Sequence, residues 1–255
     1  MKLEALKYPL LACLFSFAAI NACVAASESI EIVKAEGGVT VSDKSDGKQK
    51  TVATKSTLPA TNVLSTGPNG RAVVKVGSTG VIVLEKNSKV DMNNSSKGFF
   101  RQLTGMVYYA VNSIKGKDRS LEVRTKTATM GIRGTRFIVT DMPERQEVGM
   151  RKGTVSVESS DGEFEIHKKA EVDEFEAMKR EAEAAVNKEK SDFETYKATT
   201  EKEFVEFKRE FSLTADRMVS FNGKRVDDRP LSGETKKDME TLEGFAAEWL
   251  KQVRD

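Results

Sequence analysis

The sequence is poor in residues that carry chemistry. Its 255 residues include one histidine and two cysteines. A lone histidine excludes a His-ligated metal cluster, and two cysteines are too few for a Cys-based zinc site. Both cysteines, Cys13 and Cys23, fall in the N-terminal leader region, so a Cys/His catalytic pair and a disulfide within the mature chain are excluded as well. A Ser-His-Asp triad would have to use His167. Its Glu165-Ile166-His167-Lys168-Lys169 surroundings contain nothing like a nucleophile elbow. No glycine-rich loop leads into Lys-Ser or Lys-Thr, as a phosphate cradle requires. Asp91-Met92-Asn93-Asn94 lacks the further spaced oxygens of a calcium loop. No catalytic, cofactor-binding or metal-binding residue is assigned, and the chain reads as a non-enzyme.

Charge of one sign is also missing. The formal net charge is +2, without the basic excess of an obligate nucleic-acid binder. The balance hides an asymmetry: Ser27 to Glu165 carries roughly five extra basic residues, and Ile166 to Asp255 roughly four extra acidic ones. Nor is there an apolar run long enough for a comfortable membrane span. The longest, Pro9 to Ile20, follows Lys2 and Lys7 and precedes Ala22-Cys23-Val24-Ala25-Ala26. Basic start, short apolar run and small residues together read as an export signal over residues 1–26. Cleavage after Ala25 or Ala26 gives a soluble product. Ile20-Asn21-Ala22-Cys23 also resembles a lipoprotein processing site, which would leave a lipid anchor on Cys23.

What is present begins with β-structure. From Ile30 to Ile166, short runs rich in Val, Ile and Thr alternate with glycine-containing turns. The clearest are Ile30–Val33, Val39–Val41, Arg71–Val76, Val81–Leu84, Gly105–Val111, Leu121–Val123, Arg136–Val139 and Thr154–Val157. Asp46-Gly47 and Asp161-Gly162 are hairpin signals. Many short strands predict a sandwich, roll or short β-solenoid. Within this region the stretch from Thr125 to Val139 stands out. Its Gly131-Ile132-Arg133-Gly134-Thr135 core sets an arginine between two glycines. Glycine there supplies an unusual backbone conformation or a close approach, and Arg133 offers five fixed donors. The reading is a β-corner pinned by a buried Arg133. The basic residues Lys115, Lys117, Arg119, Arg124, Lys126, Arg133 and Arg136 are a weaker feature, because strand alternation splits them between faces.

Beyond Asp161-Gly162 the composition shifts. Neither glycine nor proline occurs from Glu163 to Asn222, and Glu, Lys and Ala dominate. Val172, Phe175, Ala182, Val186, Phe193, Tyr196, Phe204, Phe207 and Phe211 lie near helical spacing. This predicts a long helix from about Ala170 to Phe211, ~60 Å if unbroken. A single docked helix, a hairpin breaking near Asn187 to Ser191 and an intermolecular coiled coil all remain open. Asn222-Gly223 then signals a hairpin. A last amphipathic helix is expected from Gly233 to Val253, with Met239, Leu242, Phe245, Ala246, Trp249, Leu250 and Val253 on one face and Trp249 as an anchor. The expected class is α+β: a mainly β module followed by long helical segments.

The glycine–arginine stretch resembles the FecR domain, an exported β-module. The matching residues are Thr125, Thr127, Ala128, Gly131, Ile132, Arg133, Gly134, Thr135, Phe137 and Val139. The flanks are similar too, at Val39–Val41, Leu64-Ser65-Thr66-Gly67, Ala72–Val74, Val81–Leu84 and Gly153-Thr154-Val155-Ser156-Val157. The resemblance implies a FecR-like domain over residues 27–167. A charged helix or helical hairpin would occupy 168–216, and a β-hairpin with an amphipathic helix 217–255. It also implies that Thr127, Ala128, Gly131, Arg133, Gly134, Thr135 and Phe137 are structural, and that the partner is another protein. Well-known members are inner-membrane regulators that sense an outer-membrane receptor. This chain begins with a leader instead of their cytoplasmic and membrane-spanning segments. It is therefore expected to be an envelope protein, in the periplasm of a Gram-negative-type cell or lipid-anchored through Cys23. It would serve as a protein-binding accessory to signalling, or as a scaffold that self-associates through the helix.

Overall fold

The computed structural model describes residues 29–43, 47–58, 62–92, 99–112, 121–168 and 204–253. Nineteen strands and two short helices lie among them. The chain opens with β1 (Ile30–Glu36), β2 (Val39–Asp43), β3 (Gln49–Thr51), β4 (Ser56–Leu58) and β5 (Asn62–Thr66). Then follow β6 (Arg71–Val76), β7 (Gly80–Leu84), β8 (Lys89–Asp91) and the long β9 (Phe99–Val111). Next come β10 (Leu121–Arg124), β11 (Ala128–Ile132), β12 (Arg136–Met142), β13 (Arg145–Lys152), β14 (Thr154–Ser159) and β15 (Phe164–Lys168). The last part supplies β16 (Phe204–Lys208), β17 (Glu210–Thr214), β18 (Arg217–Asn222), β19 (Arg225–Pro230), α1 (Gly233–Phe245) and α2 (Ala247–Leu250).

These strands form two sheets that share β9. The first runs β4-β1-β6-β7-β9-β12-β13-β18-β19-β15-β16. The second runs β3-β2-β5-β8-β9-β10-β11-β14-β17. Among the described residues only β9–β10 and β15–β19 are parallel pairs. The N-terminal half of β9 pairs with β8 and β10, and its C-terminal half with β7 and β12. The change-over falls at Gly105, at φ +96°, where a Cβ would lie 2.4 Å from the Ser88 backbone. Only glycine takes that conformation in that space.

Alternation along the strands builds the main core between the sheets. Val74, Ile82, Leu84, Tyr109, Phe137 and Val139 of the first sheet meet Leu64, Phe100, Val123, Met130, Ile132 and Val157 of the second. The outward positions of the same central strands are apolar too. Val73, Val81, Val83, Tyr108, Ala110 and Ile138 form a second cluster with Met239, Leu242, Ala246, Leu250 and Val253. The C-terminal helices thus cover the outer face of the first sheet. Ser232 caps α1 by accepting from the Thr235 backbone N–H at 3.1 Å. The half-buried Trp249 packs against this cluster, in the anchoring position expected of it. Polar contacts fix the helices: Tyr108 donates to Glu243 at 2.6 Å, and Arg145 reaches Glu147, Glu234 and Asp238. Lys34 lies 3.9 Å from the centroid of the Phe245 ring.

The strands expected from the alternating runs are present, and Asn222-Gly223 does close a hairpin, between β18 and β19. Three expectations are corrected. Asp161-Gly162 is no hairpin turn; it carries the chain from β14 in the second sheet to β15 in the first. The α+β class with long helical segments is replaced by a mainly β fold. Residues 204–214, read as the end of a long helix, form β16 and β17. Their physical reason is partnership. Phe204 to Lys208 pairs with all of β15 and Glu210 to Thr214 with β14, and these ladders outweigh the permissive helical composition. The remainder of the expected helix, residues 170–203, lies outside the described residues. The coiled coil finds no support among the described residues, whose helices are short and pack on a sheet.

Candidate interaction surface

The glycine–arginine stretch carries the chain from the second sheet to the first. It starts at a tight turn. The Thr125 hydroxyl accepts from the backbone N–H groups of Thr127 at 3.3 Å and Ala128 at 3.1 Å. Thr127 is half-buried and donates to the Gln146 side chain at 3.4 Å. Ala128, Met130 and Ile132 then point into the main core, while Thr129 and Gly131 face outward. Gly131 has no special backbone requirement: a Cβ there would meet Ser156 at an ordinary 3.8 Å.

The corner itself is built by the next residues. Gly134 takes a positive φ of +63°. Gly153, at φ +85°, lies so close that a Cβ would come within 2.7 Å of the Gly134 carbonyl oxygen. Thr135 is 1% exposed, and its carbonyl accepts from Val111 N–H at 2.9 Å. Its hydroxyl has no hydrogen-bond partner among the described residues. Phe137 is fully buried and stacked on Tyr109, with ring centroids 5.0 Å apart. Close backbone packing and the buried Thr135 and Phe137 define this corner.

Arg133 does not pin it. The side chain is exposed, and its guanidinium has no partner among the described residues. The expectation of a buried donor is corrected for a geometric reason. Ile132 and Thr135 turn inward, so the turn between them projects Arg133 away from the core. The basic run is also divided. Arg133 and Arg136 lie at one end of the sandwich beside Lys152, the register partner of Arg136. Arg124 and Lys126 lie at the opposite end, where Arg124 pairs with Glu122 at 2.7 Å and stacks 4.1 Å from the Phe99 ring. Lys115, Lys117, Arg119 and the lipidation candidate Cys23 lie outside the described residues.

Behind the corner is a buried polar network that the strand pattern alone does not assign. Gln102 is 1% exposed, at an inward position of β9. Its amide donates to the carbonyls of Gly105 at 2.9 Å and Val139 at 3.0 Å, and its oxygen accepts from Tyr109 at 3.0 Å. A glutamine two positions after the apolar Phe100 is the signal that marks it: an inward site holding a polar residue. Burial pushes the Tyr108 and Tyr109 hydroxyls well above the usual tyrosine range. Burial also raises the Asp141 carboxyl, against the opposing effects of Gln146 and Lys126. His167 is buried on β15, 2.9 Å from Glu165. Among the described residues no cluster of His, Cys, Asp and Glu is arranged to hold a metal ion.

Residues 62–156, from β5 into β14, match the protein family described as FecR protein. This segment is similar to a FecR domain. The matched segment contains the whole Thr125–Val139 stretch, its glycine-lined corner and the Gln102 network. The sandwich extends beyond it at both ends, through β1–β4 before it and β15–β19 with the two helices after it. No curated protein matches the chain. Among solved structures it is similar to a "putative anti-sigma factor" from Parabacteroides distasonis ATCC 8503. One crystal structure of that protein gives 13% identity and a TM-score of 0.45, covering 71% of this chain and 65% of the other. A second gives 13% identity and 0.44, covering 71% and 64%. The chain thus spans just under two thirds of that protein's length.

Proposed function

We propose that this FecR-domain protein is a non-enzymatic accessory to signalling in the cell envelope, and that it binds another envelope protein. The FecR match supports the regulatory part, since FecR proteins work through contacts with other proteins. The leader-like N-terminus supports export, either to the periplasm or to a lipid anchor at Cys23. No helix among the described residues is long and apolar enough to cross a membrane.

The observation that carries the reading is the position of Arg133. It belongs to the FecR-like stretch, yet it contributes no bond to the corner it sits on. A guanidinium held out on a rigid turn is suited to bidentate recognition of a partner's carboxylate or backbone carbonyls. The flanking Gly134, Thr135 and Phe137 position it; Thr127, Ala128 and Gly131 build the strand that leads to it.

Crosslinking in intact cells, followed by mass spectrometry, tests the proposal. Wild type should capture a specific envelope partner. Arg133→Ala should lose most of that capture while its stability stays within about 0.5 kcal/mol of wild type, as for a surface change. Undiminished capture by the variant would refute the role of Arg133, and failure to find any specific partner would refute the accessory reading.

A further inference from the structure

The first sheet ends at β16, and this edge exposes apolar side chains that the other sheet ends do not; β17, which ends the second sheet, is as long and as regularly paired, but its Phe211 is half-buried and its Leu213 buried. β4 and β3, at the far ends of the two sheets, are only three residues long. β16 is five residues long and pairs with β15 through five consecutive register pairs without a bulge. Among the described residues it has no strand on its other side. It also carries the most exposed large apolar side chain among the described residues, Phe207 at 66%, with Val205 at 38% on the same face. A regular, partly apolar edge is a template for another strand unless it is blunted.

We infer that β16 is a homotypic pairing edge, through which two copies of this chain join their first sheets in antiparallel fashion about Phe207. The sequence around Phe207 selects both the partner and the register. An antiparallel pair centred on Phe207 places Glu206 of each copy opposite Lys208 of the other, and Phe207 opposite its counterpart. Opposite charges and aromatic pairs stabilise facing strands. Centring the pair on Glu206 or on Lys208 would set like charges opposite each other, which is destabilising. A shift of one residue would turn Phe207 to the wrong face. Within one copy Glu206 contacts Lys208 and receives Lys168 at 3.0 Å, and these hydrogen bonds hold its carboxyl below the usual carboxylate range. This contact goes beyond the accessory reading and uses a different surface: Arg133 sits between β11 and β12, each of which is paired on both sides.

One strand edge buries far less than the ~1,200 Å² of a stable interface, so the dimer is weak and concentration-dependent. The test is sedimentation velocity on the full chain, expressed with its own leader and purified as exported, from about 10 μM to about 1 mM. Wild type should shift from monomer towards dimer across that range. Phe207→Lys, Glu206→Lys and Lys208→Glu should each weaken the dimer at least about tenfold. An equimolar mixture of Glu206→Lys and Lys208→Glu should recover it, because one copy then presents two lysines at the edge and the other two glutamates. Thermal melts of each variant confirm the fold, and Phe207→Lys serves if either charge variant is unstable. A wild type that stays monomeric throughout overturns the inference. So do single charge variants that dimerise like wild type, or a mixture that restores nothing.

Discussion

Replacing Gln102 by leucine tests whether the crossing of β9 between the sheets is held by its one buried amide. Leucine keeps the approximate volume and removes every polar atom. Three buried partners are then stranded: the Gly105 and Val139 carbonyls and the Tyr109 hydroxyl. An unsatisfied buried polar group costs about 1–3 kcal/mol, and a carbonyl that keeps a ladder bond falls at the low end. The sum is about 3–5 kcal/mol, a large share of a typical domain's stability. Tyr109→Phe alone deletes a single bond and should cost about 1 kcal/mol, plus the orphaned Gln102 oxygen. In the double variant the hydroxyl is gone, so its burial penalty disappears. The double should therefore be more stable than the sum of the singles predicts, by about 1 kcal/mol. Urea unfolding of the four proteins measures this, with constant m-values confirming the same unfolding transition. A Gln102→Leu loss below about 1 kcal/mol, or strict additivity in the cycle, would refute the reasoning. Either would mean that the amide is a passenger and that Gly105 alone sets the crossing.

Two further outcomes concern pH. Because burial raises the Asp141 pKa, the folded chain holds that proton more tightly than the unfolded chain. Its ionisation therefore opposes folding in full above the folded-state value, and the penalty fades as pH falls through that value and is gone below the unfolded carboxylate value of about 4. Asp141→Asn should melt at the same temperature as wild type or higher at pH 7, with the difference shrinking towards pH 4; a variant that is clearly less stable at pH 7 would contradict this. The two buried tyrosines act at the other end of the scale. Their folded pKa values lie above the usual 10.0, so the unfolded chain loses these protons first. Stability should fall as pH rises above 10, and absorbance near 295 nm should show Tyr108 and Tyr109 ionising only together with unfolding. Smooth ionisation of both in a still-folded protein would show that they are accessible to base.

The fold was legible where one physical signal dominated. Runs such as Arg71–Val76, Val81–Leu84 and Arg136–Val139 mark strands by β-branched content, and the structure places strands there. Their lack of strict alternation held more information. Val73, Val81, Val83 and Ile138 are apolar at outward positions because the C-terminal helix covers them. The apolar face running from Met239 to Val253 is the matching half of that contact. Where two signals competed, composition misled. Phe204 to Phe211 sits in a stretch free of glycine and proline with aromatics near helical spacing, yet the same residues alternate well enough to pair with β15 and β14. Long-range pairing decides such cases, and a local pattern does not contain its partner.

The site follows the same logic. Thr135 and Phe137 are inward because the corner is fixed by contact between the Gly134 and Gly153 backbones, residues far apart in sequence. The glycines signalled such an approach, and only the location of the approaching strand was missing. Arg133 was harder, since an arginine between glycines is compatible with a buried clamp or an outward projection. The burial of its neighbours decides it. Ile132 and Thr135 both occupy the core, leaving the two-residue turn between them no inward direction to take. A stability device would have faced the carbonyls of that corner. Arg133 faces solvent instead.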